Sequence, residues 1–79
     1  MERTIASTSY QKLIEWLIKG RISRGWSIRD LALELKTLPN TVHRIETLER
    51  RLDVNEYVIY CRALKLDPVS GIDQFYKFD

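Results

Sequence analysis

Asn40, Thr41, His43 and Arg44 stand close together behind Pro39. Their side chains suit one kind of chemistry. An Asn amide holds a donor beside an acceptor and can pair with the edge of adenine. An Arg fork matches the edge of guanine, and a Thr methyl meets the methyl of thymine. The same residues would equally suit a solvated helix face, and their types alone leave both readings open. Val42 and Ile45 are interleaved with them, three residues apart. That spacing predicts a short helix with an apolar side at 42 and 45 and a polar side at 40, 41, 43 and 44. Basic residues gather around this stretch: Arg21, Arg24, Arg29, Lys36, Arg44, Arg50 and Arg51 all lie in the middle of the chain. Acidic residues are spread more evenly. The formal net charge of +2 is too small to argue for a polyanionic partner by itself.

Other chemistries find little support. One histidine, one cysteine and three glycines leave little from which to build a nucleophile and its base, a metal site or a phosphate loop. No pair of His, Cys or acidic residues has ligand spacing on one face. We therefore expect no enzyme, no catalytic residues, no cofactor and no metal. Cys61 has no partner for an internal disulfide, which fits a reducing cytosol and predicts a cytoplasmic protein. The start of the chain lacks the basic-then-apolar order of a signal peptide. The most apolar run is cut by Glu15 and followed by Lys19, so no membrane span is expected. With 79 residues there is room for one domain, in which folding buries only about 60% of the surface of the unfolded chain.

The elements that would position the polar cluster can be read in order. Residues 1–8 have no periodicity and read as a flexible arm. A first helix starts after Thr8 or Ser9, either of which can cap it, and runs to about Arg24. Leu13, Ile14, Leu17 and Ile18 form its apolar stripe, widened by Trp16 or Ile22. Gly20 predicts a kink or an early end, and Gly25 a left-handed terminus. Trp26 reads as a core anchor. The second helix spans 28–35, with Ser27 as cap and Asp30 three residues on. A tight break follows. Pro39 belongs in a first helical turn, so the third helix runs from about 39 to 48. Asp53 and Glu56 start a fourth helix whose packed face is Val54, Tyr57, Val58, Cys61 and Leu64. It stops before Leu66-Asp67-Pro68. The tail at 69–79 holds Ile72, Phe75, Tyr76 and Phe78 and is too apolar for plain disorder. Gly71 argues against a long helix there, so a short fifth helix or turn, or a dimer contact, is expected.

Two short helices about a break, with Trp26-Ser27, Leu31-Ala32, Leu35, Val42, Arg44, Ile45 and Glu46 in order, resemble the Xre/Cro-type helix-turn-helix family of phage and bacterial repressors. The likeness continues through residues 49–54 and 62–68. It implies an all-α, compact four- to five-helix lambda-repressor-like domain over 9–68. The implied function is a transcriptional regulator, a repressor acting as a homodimer on double-stranded DNA, with the helix from Pro39 in the major groove. On that frame Pro39, Asn40, Thr41, His43 and Arg44 would meet bases. Ser27, Arg29, Lys36, Arg50 and Arg51 would meet phosphates. The resemblance also implies a structural ion pair between Arg21 and Glu46, and a buried role for Ala32.

Two positions depart from the family pattern. Lys36 stands where many members have Gly, so either the turn bends differently or the second helix continues through Lys36 and turns at 37–38. Thr37 is the better cap by chemistry, while Leu38 sits where the family has one. Ile28 stands where Gln commonly helps clamp a phosphate. An exposed Ile28 and the aromatic tail would suit an alternative on the same scaffold: an antitoxin or adaptor that binds a toxin or polymerase.

Overall fold

The computed structural model describes residues 7–77. Residues 1–6 of the expected arm, and Phe78 of the apolar tail, lie outside the described residues. Five α-helices follow one another: α1 (Thr8–Ser23), α2 (Ile28–Leu35), α3 (Pro39–Glu46), α4 (Val54–Leu64) and α5 (Pro68–Lys77). The domain is all-α, as expected.

The cap of α1 is Ser7 rather than Thr8 or Ser9. Its hydroxyl accepts from the Tyr10 amide at 3.3 Å. Ser9 cannot serve because it is buried inside the first turn. Gly20 neither kinks nor ends the helix. It lies beneath Leu66, where an added Cβ would come within 2.7 Å of a leucine methyl, so its missing side chain lets the chain after α4 close onto α1. Gly25 ends the helix at φ +73, with the amides of Gly25 and Trp26 donating back to the carbonyls of Ile22 and Arg21.

The core is drawn from four helices. Leu13, Ile14 and Leu17 of α1 meet Leu31 and Ala32 of α2, Val42 and Ile45 of α3, and Tyr57, Tyr60, Cys61 and Leu64 of α4. Trp16, Ile18 and Trp26 pack at its edge, whereas Ile22 is exposed. The buried face of α4 differs from the expected one by a rotation. Tyr60 is inside, while Val54 and Val58 are exposed. Spacing of three and four fits both faces, and the aromatic rings take the inner one because they fill more of the space beside α1 and α2. Burial raises the Tyr60 and Tyr57 hydroxyl pKa values, and it also pushes the Cys61 thiol up, which makes Cys61 an inert packing residue.

The segment 68–77 is a ten-residue helix despite Gly71. Gly71 is buried where α5 crosses α1 and α4: an added Cβ would run into the Tyr57 hydroxyl and the Trp16 ring. Tyr57 donates to the Pro68 carbonyl at 2.6 Å and fixes the start of α5.

Candidate nucleic-acid interface

Three local devices set the angle of α3. The first is the start of α2. Ser27 Oγ accepts from the Asp30 amide at 3.0 Å, and Asp30 Oδ2 accepts from the Ser27 amide at 2.8 Å. The hydrogen bonds from the Ser27 backbone and side chain hold the Asp30 carboxyl below the usual range. Ser27 therefore caps its own helix with its amide and its hydroxyl oxygen, which leaves the hydroxyl hydrogen as a donor.

The second device is the turn. Lys36 itself adopts the left-handed conformation, at φ 58 and ψ 44, and closes α2. Its amide donates to Leu33, and the Thr37 amide donates to Ala32 at 3.0 Å. The chain thus keeps the turn that glycine would make, and neither expected rearrangement occurs. A non-glycine residue here carries strain of about 1–2 kcal/mol. Leu38 is the N-cap of α3 and makes no side-chain cap bond, and Thr37 is not the cap. Pro39 at the first helical position has no N–H to satisfy and is already set at the helical φ.

The third device is the Arg21–Glu46 pair. Arg21 Nε and Nη2 donate to the two Glu46 carboxylate oxygens at 2.7 and 2.9 Å. Arg21 Nη1 donates to the Trp26 carbonyl at 2.8 Å. The side chains are 13% and 11% exposed, so the fork is largely shielded from water. One arginine therefore ties the end of α1, the entry to α2 and the end of α3 together, and its planar geometry fixes orientation as well as distance. Beside it, the Arg24 guanidinium lies 4.7 Å from the centre of the Trp26 ring.

These devices present α3 with Val42 and Ile45 buried and with Pro39, Asn40, His43 and Arg44 exposed. Asn40, His43 and Arg44 are spaced at three and four, which makes them one stripe. Thr41 is only half exposed and lines a crevice with Lys36, Thr37 and Tyr60, so it stands apart from that stripe. The helix ends at Glu46, two residues before the expected end. The Thr47 hydroxyl donates to the His43 carbonyl at 2.9 Å, and Leu48 at φ 67 turns the chain away.

Of the other residues expected to meet phosphates, Arg29, Lys36 and Arg51 are exposed. Arg50 is half-buried, and its Nη1 and Nη2 donate to the Glu56 carboxylate at 3.2 and 2.7 Å. That pairing lowers the Glu56 carboxyl pKa and raises that of Arg50. Glu56 also accepts from the Asp53 amide, completing the cap of α4. The Arg50–Glu56 link carries no sequence signal, because it spans an irregular loop with no periodicity to read. Ile28, at the first position of α2, is half-buried against the edge of the core rather than fully exposed. Among the described residues no group of His, Cys, Asp and Glu could hold a metal ion, and no helix is long and apolar enough to cross a membrane.

No family model and no curated protein matches the chain. A solved structure does: an XRE-family like protein from Pseudomonas syringae pv. tomato str. DC3000, at 31% sequence identity and a TM-score of 0.81. The match covers 89% of this chain and 88% of that one.

Proposed function

Because the chain belongs to the XRE family of helix-turn-helix DNA-binding regulators, we propose that it is a sequence-specific repressor that acts as a homodimer on double-stranded DNA in the cytoplasm. The observation that carries this reading is the α3 stripe of Asn40, His43 and Arg44, backed by Val42 and Ile45 and held in place by the Arg21–Glu46 fork. Such a face can be laid into a major groove as a rigid unit. Asn40 then pairs with adenine and Arg44 with guanine, each worth about 1–3 kcal/mol of discrimination. His43 reads an adjacent acceptor or donor. Pro39 and Thr41 border the groove at the tip of the helix.

Phosphate contacts set the register and carry no sequence information. Arg29, Lys36 and Arg51 supply them, flanking α3 on both sides. Arg50 joins them with the N–H groups that Glu56 leaves over, or by exchanging Glu56 for a phosphate. Ser27 contributes through the start of α2. Two copies related by a two-fold axis place their α3 helices in successive major grooves about 34 Å apart. Occupancy of such a site excludes other proteins from the same stretch of DNA, which is the basis of repression. The half-burial of Ile28 against the core leaves less apolar surface there for an adaptor role.

Selection of bound duplexes from a random pool tests this reading. The expected product is an inverted repeat whose half-site centres lie about one helical turn apart. Arg44→Ala is expected to relax the preference at one guanine position in each half-site. Retention of an unordered pool, with no motif after several rounds, would contradict it.

A further inference from the structure

A crevice of about 250 Å³ lies between the α2–α3 turn and α4. Leu35, Ile45, Leu52 and Ile59 give it apolar walls. Tyr60 is a further wall and the most deeply set of the polar ones, at 4% exposure. Its hydroxyl is shielded from water and makes no hydrogen bond within the described residues. A buried donor left unpaired is costly, and native proteins keep few of them. The charged walls are Lys36 and Glu56. Arg50 donates to both Glu56 oxygens, so that carboxylate is already matched. Lys36 is exposed and stands as the cation at the mouth of the crevice.

We propose that this crevice binds a small aromatic carboxylate with a second oxygen on its ring, of the 4-hydroxybenzoate kind, and that its occupancy weakens DNA binding. Each part of such a molecule meets a wall of matching chemistry. An apolar cavity of about 150 Å³ takes up one benzene ring. The crevice is larger, with room for a ring and two small substituents. The ring lies among the aliphatic side chains and the Tyr60 ring. The ring oxygen accepts from the Tyr60 hydroxyl, which gains the partner that the fold does not supply. The carboxylate accepts from Lys36, with the Thr37 and Thr41 hydroxyls as further walls on that side. A cationic molecule would meet Lys36 and find Glu56 already paired. A wholly apolar one would leave the Tyr60 hydroxyl unmatched. So small a ligand is bound at roughly 0.1–1 mM. The site rests on the crevice alone, whereas its effect on DNA rests on the DNA-binding reading above. Lys36 is one of the phosphate-binding cations of that reading, and it cannot serve a phosphate and a carboxylate at once. By linkage, ligand and DNA then weaken each other's binding by the same factor.

Titration of the whole chain with 4-hydroxybenzoate, followed by amide shifts in two-dimensional NMR, tests the site. Saturable shifts are expected at Thr37, Thr41, Ile59 and Tyr60. 4-Hydroxybenzyl alcohol, which lacks the carboxylate, is expected to bind about tenfold more weakly. Tyr60→Phe is expected to weaken 4-hydroxybenzoate about tenfold and to leave benzoate unchanged, a difference that a merely structural hydroxyl would not produce. Ile59 is 40% exposed, so Ile59→Trp can fill the crevice without entering the core, and it is expected to abolish binding of both acids. Circular dichroism of each variant checks that the helices are retained. The absence of saturable shifts at millimolar acid, shifts confined to other faces, or a Tyr60→Phe variant that binds both acids as the wild type does would overturn the site. Fluorescence anisotropy with a labelled duplex tests the coupling, with sodium acetate at equal concentration as the salt control. Saturating 4-hydroxybenzoate is expected to weaken DNA binding about tenfold in the wild type and not at all in Ile59→Trp. Unchanged DNA affinity would overturn the coupling. A chain that binds the acid in the crevice but no duplex at low salt supports the site and ends the DNA reading, and the coupling with it.

Discussion

Arg21 donates to Glu46 and to the Trp26 carbonyl, so its loss would leave a shielded carboxylate without its partner. Removing one member of such a pair costs about 3–5 kcal/mol. For a domain of this size that is a large share of a total near 5–10 kcal/mol. Arg21→Ala is therefore expected to lower the urea midpoint sharply, and Arg21→Lys to recover only part of it because the fork is lost. A midpoint unchanged by Arg21→Ala would show that the pair contributes nothing to the fold. Lys36 gives the opposite sign. It holds a left-handed conformation that favours glycine. Lys36→Gly is expected to raise stability by about 1 kcal/mol, or about 4–8 °C in Tm, while weakening DNA binding because a positive charge is removed. Thermal unfolding and a binding titration on one sample read both signs. A variant less stable than the wild type would mean that the turn is not strained.

At the scale of elements, legibility follows the range of the determining interaction. The bounds of α2 can be read because Ser27 and Asp30 sit three apart and cap each other. The start of α4 can be read for the same reason from Asp53 and Glu56. The end of α3 cannot, because it depends on the Thr47 hydroxyl and on Leu48 entering the left-handed region, which leucine rarely does. The face of α4 is ambiguous in sequence because valine and tyrosine repeat at the same spacing, and only the volume between neighbouring helices decides between them. Gly71 reads as a breaker in sequence. Its role is instead to let α5 approach Trp16 and Tyr57. Gly71→Ala improves helix propensity by about 1 kcal/mol yet inserts a methyl into a closed space. The clash is expected to win, with a net loss of about 1–3 kcal/mol in chemical denaturation. A stabilised Gly71→Ala variant would show that α5 yields easily and does not pack closely on α1.

At the scale of the whole molecule, short-range caps and the Arg21–Glu46 and Arg50–Glu56 ion pairs tie separate segments together, and this sets the response to acid. Asp30 and Glu56 are held below their ordinary values by hydrogen bonds formed only in the folded chain. A depressed carboxyl contributes stability that is fully present above its unfolded value, near 4, and is lost as pH falls through its folded value. Stability is therefore expected to be flat above about pH 5 and to decline below about pH 4. Asp30→Asn together with Glu56→Gln is expected to flatten that decline, and an unchanged slope would place the acid sensitivity elsewhere. The order of the motif residues, from Trp26 to Glu46, makes the fold readable as a whole. The interface is readable in part. The α3 stripe follows from helical spacing alone, but the capture of Arg50 by Glu56 and the partial burial of Ile28 arise only once distant segments meet.

The central claim is that α3 reads bases while flanking arginines and Lys36 neutralise phosphates. A salt titration of binding to a selected site and to random duplex DNA tests it most directly, with Arg44→Ala and Arg51→Ala beside the wild type. The account predicts a steep fall of affinity with salt and a slope shallower by about one for each phosphate that Arg51→Ala no longer neutralises. It also predicts an Arg44→Ala variant that retains affinity for random DNA but has no preference for the selected site. Equal weakening on both duplexes in the two variants, or no binding at low salt, would contradict it.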